Sequence, residues 1–383
     1  MTIQSPDAMP AKVDAPELFS PLHRKHVEAG ASFTDFAGWQ MPVRYDSDLA
    51  EHHAVRTHAG LFDLSHMAEI LVIGPEASDA LDYALAGKLS AIAIHQAKYS
   101  LLLSRDGGIV DDLVVYRTGE DRYLVVANAS NRDVVVAELT SRCSMFDCEV
   151  QDESDDIALI AVQGPRALEV LSETPLVHVE GLDDAKYYWT VPGHFGDHTM
   201  LVARTGYTGE DGFELYVSPE AAPALWDALL ETGAGSGLVP AGLASRDTLR
   251  LEAGMPLYGH ELGLDTKPAQ AGLGRVVNLT KEGDFVGRSA IEAGRTADAR
   301  VLVGLESEGR RAGRADYAVF DETGAEVGIV TSGALSPTLG YPIAMAYVDS
   351  AVSAVGTTLL LDVRGSRVPA SVVSLPFYSR EAR

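Results

Sequence analysis

Two stretches carry ionisable groups whose spacing suits ligand binding: Arg204-Thr-Gly-Tyr-Thr-Gly-Glu-Asp-Gly-Phe-Glu214 and Ala244-Ser-Arg-Asp-Thr-Leu-Arg-Leu-Glu-Ala-Gly-Met-Pro-Leu-Tyr258. Glu214 stands in the apolar run Gly212–Val217, where period-two alternation puts it on the strand face opposite Phe213, Leu215 and Val217. An ionised carboxylate accepts two parallel hydrogen bonds; the ordinary role for such a residue is a solvent-facing Glu on an edge strand. Arg246 opens the helical pattern Arg246-Asp-Thr-Leu-Arg-Leu-Glu and offers a permanent planar cation, whose ordinary role is an ion pair with Asp247 or Glu252 along the helix. Together the two segments suit a ligand with both donors and negative charge.

A second acidic pair lies in Gly107-Gly-Ile-Val-Asp-Asp-Leu-Val-Val-Tyr116. Alternation places Asp111 with Ile109, Leu113 and Val115 and Asp112 with Val110, Val114 and Tyr116, so both carboxyls sit among apolar neighbours. Such desolvation raises a carboxyl pKa unless donors or a cation compensate, and groups of this kind are enriched in acid/base roles. The bland alternative has Asp111 capping the Gly107-Gly108 turn. Alternation alone leaves the choice between Asp111 and Asp112 open.

Other suggestive residues have plainer readings. Thr232-Gly-Ala-Gly-Ser-Gly-Leu follows a helical pattern, whereas a dinucleotide loop must follow a strand and open a helix, so it reads as a helix-terminating loop. His52, His53 and His58 are not at metal-ligand spacing on a helix, and a solvated or capping role is expected; no metal site is expected. Cys143 and Cys148 form neither a CxxC nor a disulfide framework and read as packing residues in a reducing compartment.

The elements that must position these groups follow from periodicity and breakers. Helices are expected over 21–30, 46–57, 77–85, 131–139 and 221–230, with strands over 31–36, 99–104, 109–116 and 122–127 and a strand or strand pair over 61–73. A meander flanked by helices is the pattern of a split, ferredoxin-like α+β unit. From Ala299 onward, Val301–Leu305, Tyr317–Phe320, Glu326–Thr331, Ile343–Val348 and Thr358–Val363 are short apolar runs between Gly and Pro turns, which predicts a separate all-β barrel or sandwich joined through 281–298.

With 383 residues the chain is expected to hold more than one domain, and 46% hydrophobic with 22% charged residues is the composition of a globular protein. A formal net charge of −25, from 30 cations against 55 anions, argues against a nucleic-acid partner. The N-terminus lacks the basic start and apolar stretch of a signal peptide, and no run of about 18 apolar residues offers a membrane span. A cytoplasmic location without membrane contact is expected.

Taken in order, the motifs Phe36-Ala-Gly-Trp-Gln-Met-Pro-Val, Glu51-His-His-Ala-Val-Arg, Phe62-Asp-Leu-Ser-His-Met67, Gly107-Gly-Ile-Val-Asp-Asp112, Ala161-Val-Gln-Gly-Pro165, Gly206-Tyr-Thr-Gly-Glu, Ala244-Ser-Arg-Asp-Thr-Leu-Arg-Leu-Glu-Ala-Gly-Met and Thr331-Ser-Gly-Ala-Leu-Ser-Pro-Thr-Leu-Gly340 resemble the T-protein of the glycine cleavage system, an aminomethyltransferase. The resemblance runs from about Pro21 to Tyr378. It implies an α+β fold of three domains in a ring around a central channel: a flexible lead over 1–15, a folate-binding region over 16–290 built of two interleaved α+β subdomains with the inner one over about 68–150, and a C-terminal all-β barrel over 299–383. It further implies transfer of the methylene unit of H-protein aminomethyl-lipoate to tetrahydrofolate, giving 5,10-methylenetetrahydrofolate and ammonia, with the lipoylated H-protein as partner.

By residue-level matching, the resemblance makes Asp112 the key carboxylate, Glu214 the pterin-binding residue, Arg246 a folate-holding cation and Tyr378 a lid, while Met67, Tyr99, Asn128 and Tyr207 match pocket-lining positions. Many relatives carry Trp just after the segment matching Ala271-Gly-Leu-Gly; here Arg275 stands there, which implies a cation in place of a flat apolar wall. Two rival readings are a folate-dependent demethylase or oxidising-enzyme half on the same scaffold and a folate-binding accessory protein. The chain leaves no room for a flavin domain, and the segment Arg204–Glu210 lacks the cysteine of the accessory group.

Overall fold

A computed structural model describes residues 17–294 and 299–380. The lead over 1–15 lies outside the described residues. Two sheets face each other at the centre. The first has five strands, in the order Ala97–Leu103, Ile109–Gly119, Arg122–Ala127, Ala68–Ile73 and Glu149–Asp152, all antiparallel. Helices Ala77–Ala84 and Arg132–Cys143 cover its outer face through Leu81, Val135 and Leu139 against Ile70, Val115 and Val125. Leaving aside the added edge strand Ala97–Leu103, this is the β-α-β-β-α-β order of a ferredoxin-like unit.

The second sheet has seven strands, with Gly212–Val217 and Ala158–Gln163 at its middle, Ala59–Asp63 beyond them, and Leu238–Pro240 added in parallel at the edge. Helices Ala167–Glu173 and Ala222–Gly233 pack on its outer face, where Phe213, Leu215 and Val217 meet Val170, Leu225 and Trp226. The inner faces of both sheets share one apolar cluster that joins Leu71, Tyr116 and Val126 to Phe62, Ala161 and Tyr216. The run 61–73 is therefore a pair of strands that belong to different sheets.

The C-terminal segment closes a six-stranded antiparallel barrel. Five of its strands coincide with the apolar runs; the sixth, Ser366–Val373, carries Ser, Arg and Pro between its apolar residues and gave no comparable run. Leu251, at the end of helix Leu243–Glu252, packs against Ala334, Ile343 and Met345 of the barrel. The expected joint is firmly packed at its start: Lys281 is buried and its ammonium donates to the carbonyls of Asp82, Leu85 and Gly87 at 2.5–2.8 Å. Among the described residues, no helix is long and apolar enough to cross a membrane.

Candidate active site

Where the inner faces diverge, a cavity of about 380 Å³ opens between the two sheets, helix Leu243–Glu252 and the segment Gly254–Tyr258. Met67, Tyr99, Asp112, Asn128, Tyr207, Glu214 and Arg246 all line it. Tyr378 does not. Its ring stacks over the Arg56 guanidinium at 4.1 Å, and its backbone N–H donates to the carbonyl of Glu252. Arg275 is exposed on the short turn Gly274–Val276 and does not line the cavity either; Leu273 supplies an apolar surface there.

The sheet itself separates the acidic pair. Asp112 follows the face of Val114 and Tyr116 toward the other sheet, while Asp111 follows that of Leu113 and Val115 toward the helices. A register shift between Leu102 and Leu103 inserts an extra residue opposite, so Val110 joins the helix-side core and Ile109 leaves it, contrary to simple alternation. Nor does Asp111 cap the glycine turn. Ser104 does so, receiving the N–H groups of Gly107 and Gly108. Gly108 is required there because a Cβ would lie 1.8 Å from the carbonyl oxygen of Leu264.

Asp112 accepts from the Tyr99 hydroxyl at 2.9 Å and from the Asn128 side-chain amide at 2.9 Å. Burial raises its pKa, and those two donors pull in the opposite direction, leaving it above the ordinary carboxylate value. The result is a poorly hydrated carboxylate with a fixed direction, open to the cavity.

Glu214 occupies the middle of the seven-stranded sheet, opposite Ala161 and Ala203, and is no edge residue. The hydroxyls of Thr205 and Tyr116 donate to one of its oxygens. The loop 204–211 reaches this position by folding over Gln163, which accepts from the Thr208 hydroxyl and donates to the carbonyl of Thr205. The glycines of the motif permit this approach: a Cβ on Gly206 would lie 1.9 Å from the Gln163 side-chain oxygen. Tyr207 is fixed by its hydroxyl, which donates to the carbonyl of Pro256.

Arg246 makes neither of the ion pairs open to it along the helix. Asp247 pairs with Arg250 at 2.7 Å and Glu252 with Arg56 at 2.8 Å. Among the described residues no carboxylate lies within 4 Å of Arg246; its guanidinium sits 4.8 Å from the centre of the Tyr207 ring. Burial disfavours its charge, and the more distant Glu214 carboxylate partly offsets that. An unpaired desolvated cation beside a cavity is a ready partner for an incoming anion or carbonyl.

Some functional neighbours escaped sequence reasoning. Tyr116 shares the Asp112 face by alternation and was legible in principle. His66 lines the same wall, and burial holds its imidazole down to about 4, hence neutral. His52, expected in a solvated or capping role, is fully buried and contacts Thr248, Thr338 and Glu252. No local spacing signalled that contact, because its partners lie about two hundred residues or more away in sequence.

The family model of the GCVT N-terminal domain matches residues 22–281, and that of the glycine cleavage T-protein C-terminal barrel domain matches 300–379. The chain belongs to the glycine cleavage T-protein family. It is 60% identical over 366 residues to an aminomethyltransferase of Cutibacterium acnes, covering 94% of this chain and 98% of that one. It is 56% identical to an aminomethyltransferase of Saccharopolyspora erythraea, covering 95% and 98%. The crystal structure of glycine cleavage system aminomethyltransferase T from Bartonella henselae superposes with a TM-score of 0.86 at 39% identity, over 94% of this chain and 98% of that one.

Proposed function

We propose that this aminomethyltransferase takes the aminomethyl group carried on the lipoyl arm of H-protein and transfers its methylene unit to tetrahydrofolate in the cavity between the two sheets, in the cytoplasm. The observation that carries the reading is the opposition of Asp112 on one sheet to Glu214 and Arg246 on the other wall of a single cavity. On this reading residues 16–290 form the folate-binding region and 299–383 the barrel that buttresses it.

The chemistry needs what these residues offer. One folate nitrogen attacks the S–CH2–NH3+ carbon as ammonia leaves, and the second folate nitrogen then displaces the lipoyl sulfur, so two C–N bonds form while one C–N and the C–S bond break. The second nitrogen's proton goes to the departing thiolate, and positive charge develops on the methylene in between. Asp112 stabilises that charge and receives the proton of the attacking nitrogen; its raised pKa brings it nearer the working pH of a base. Tyr99 and Asn128 hold its two oxygens, so little reorganisation is needed. Glu214 accepts the pterin's 2-amino and ring N–H donors through its remaining lone pairs. Arg246 holds an acceptor of the same ligand, with Met67 and Tyr207 as apolar walls. Tyr378, whose ring lies against the Arg56 guanidinium, closes over the ligand from the C-terminal domain.

The test is to mix purified protein with tetrahydrofolate and aminomethyl-loaded H-protein and to follow ammonia and 5,10-methylenetetrahydrofolate. Equal release of both is expected; no turnover with competent H-protein sinks the reading.

A further inference from the structure

Asp111 and Asp112 point to opposite faces of one strand, yet a single side chain touches both. The Asn128 amide nitrogen lies 2.8 Å from Asp111 Oδ1, 2.9 Å from Asp112 Oδ1 and 3.1 Å from the Asp112 carbonyl oxygen. It carries two hydrogens, so one serves Asp111 and the other the Asp112 side. Asp111 is fully buried and accepts two more bonds, from the Asn128 backbone N–H at 3.1 Å and the Asn131 amide at 2.7 Å. Three of the roughly four acceptor positions of its carboxylate are thus taken up by the corner where strand Arg122–Ala127 turns into helix Arg132–Cys143.

We propose that Asp111 is a positioning residue: it clamps the Asn128 amide against Asp112 and thereby fixes the direction in which Asp112 presents its carboxylate to the cavity. The inference rests on the catalytic role proposed for Asp112 and deepens it. Asp111 lies on the helix side of the strand and lines no part of the cavity, so it acts on the reaction through Asn128 and Asp112 rather than by touching a ligand. One amide shared between two carboxylates is a costly arrangement for packing alone. A buried carboxylate beside a like charge is destabilising unless its donors compensate, and an apolar residue would fill that face, as Leu113 and Val115 do.

The groups that face Asp111 are Asp112 from its own strand, Asn128 and Asn131 from the corner, and Tyr258 from the segment across. Burial and the Asp112 charge push Asp111 up to about 7. As pH rises through that value the carboxylate forms, its hold on three N–H donors strengthens, and turnover should rise with it.

The experiment compares wild type, Asp111→Asn, Asp112→Asn and the double variant in the transfer assay, with tetrahydrofolate affinity measured separately by calorimetry. Asp111→Asn should lower kcat roughly tenfold, the scale of one lost charge-assisted hydrogen bond, with folate Kd within about twofold of wild type. Its pH profile should lose the inflection near 7. In the Asp112→Asn background the same change should have no further effect, because Asp111 works only through Asp112. An unchanged kcat, or an equal loss in both backgrounds, overturns the inference. If Asp111→Asn does not fold, Asn131→Ala removes a donor that touches Asp111 but neither Asp112 nor the cavity; a fall in kcat confined to the Asp112 background supports the inference, and an unchanged kcat overturns it. Absence of turnover in wild type would instead strike at the proposed function, so the two failures are distinct.

Discussion

Tyr116 of the five-stranded sheet donates its hydroxyl to Glu214 of the seven-stranded sheet at 3.2 Å. This contact joins the two walls of the cavity and takes up part of one Glu214 oxygen, leaving the other for a ligand. Tyr116 in turn receives the Tyr216 hydroxyl at 3.2 Å, so the acceptor is held by a buried chain. Tyr116→Phe is expected to weaken tetrahydrofolate binding about fivefold, through loss of one hydrogen bond to a charged group, while Glu214→Ala costs much more. Calorimetry checks both; equal affinities in all three proteins would remove Glu214 from the binding site.

Asp112→Asn keeps the shape of the side chain but removes the charge and the proton acceptor. Turnover should drop roughly a hundredfold or more, as for loss of a positioned acid/base group, with folate affinity little altered. Tyr99→Phe should produce a smaller loss of the same kind. Near-normal rates in Asp112→Asn would take it out of the mechanism.

Arg246 is half-buried with no carboxylate within ion-pair distance among the described residues, and desolvation disfavours its charge, so the guanidinium costs stability. Arg246→Met should therefore unfold at the same temperature as wild type or higher while binding tetrahydrofolate at least tenfold more weakly. Thermal unfolding with and without ligand reads both. A clear fall in Tm without ligand would mean that the guanidinium serves packing first.

The barrel meets the rest of the chain through Glu252, which accepts from Arg56 at 2.8 Å and from the Thr338 hydroxyl at 2.7 Å. Burial opposes its ionisation, but the bonds from His52 and Ser336 and the Arg56 cation hold the carboxyl at about 2, below its ordinary 4.5. A depressed carboxyl contributes stability that is present above the unfolded value and is lost as pH falls through the folded one. Wild type should thus lose stability between about pH 4.5 and 2. Glu252→Gln should cost about 1–3 kcal/mol at neutral pH, because Arg56 loses one of its two buried carboxylate partners and keeps Glu210, and should flatten that acid limb. Denaturant unfolding across pH tests it; a parallel acid limb in the variant would assign the effect to other carboxylates such as Asp63, which is also held low.

Much of this molecule was legible in the chain because its signals are local. Turn glycines and the periodicity of apolar residues set the ferredoxin-like order of strands and helices and the five clear barrel strands, and the ordered motifs pointed to the family. Glu214 and Asp112 stood out as carboxylates in apolar strands. What the sequence left open depended on distant partners. Alternation could not say which of Asp111 and Asp112 faced the cavity, since that depends on which face of the sheet the helices cover and on a bulge near Leu103. The pairing of Glu252 with Arg56 rather than Arg246, the burial of His52 and the turn of Tyr378 onto Arg56 follow from contacts between segments far apart in sequence. Side-chain spacing fixes what a residue can do along its own element; only packing of the two sheets and the barrel decides which groups lose water together, and desolvation is what makes a carboxylate or a cation reactive.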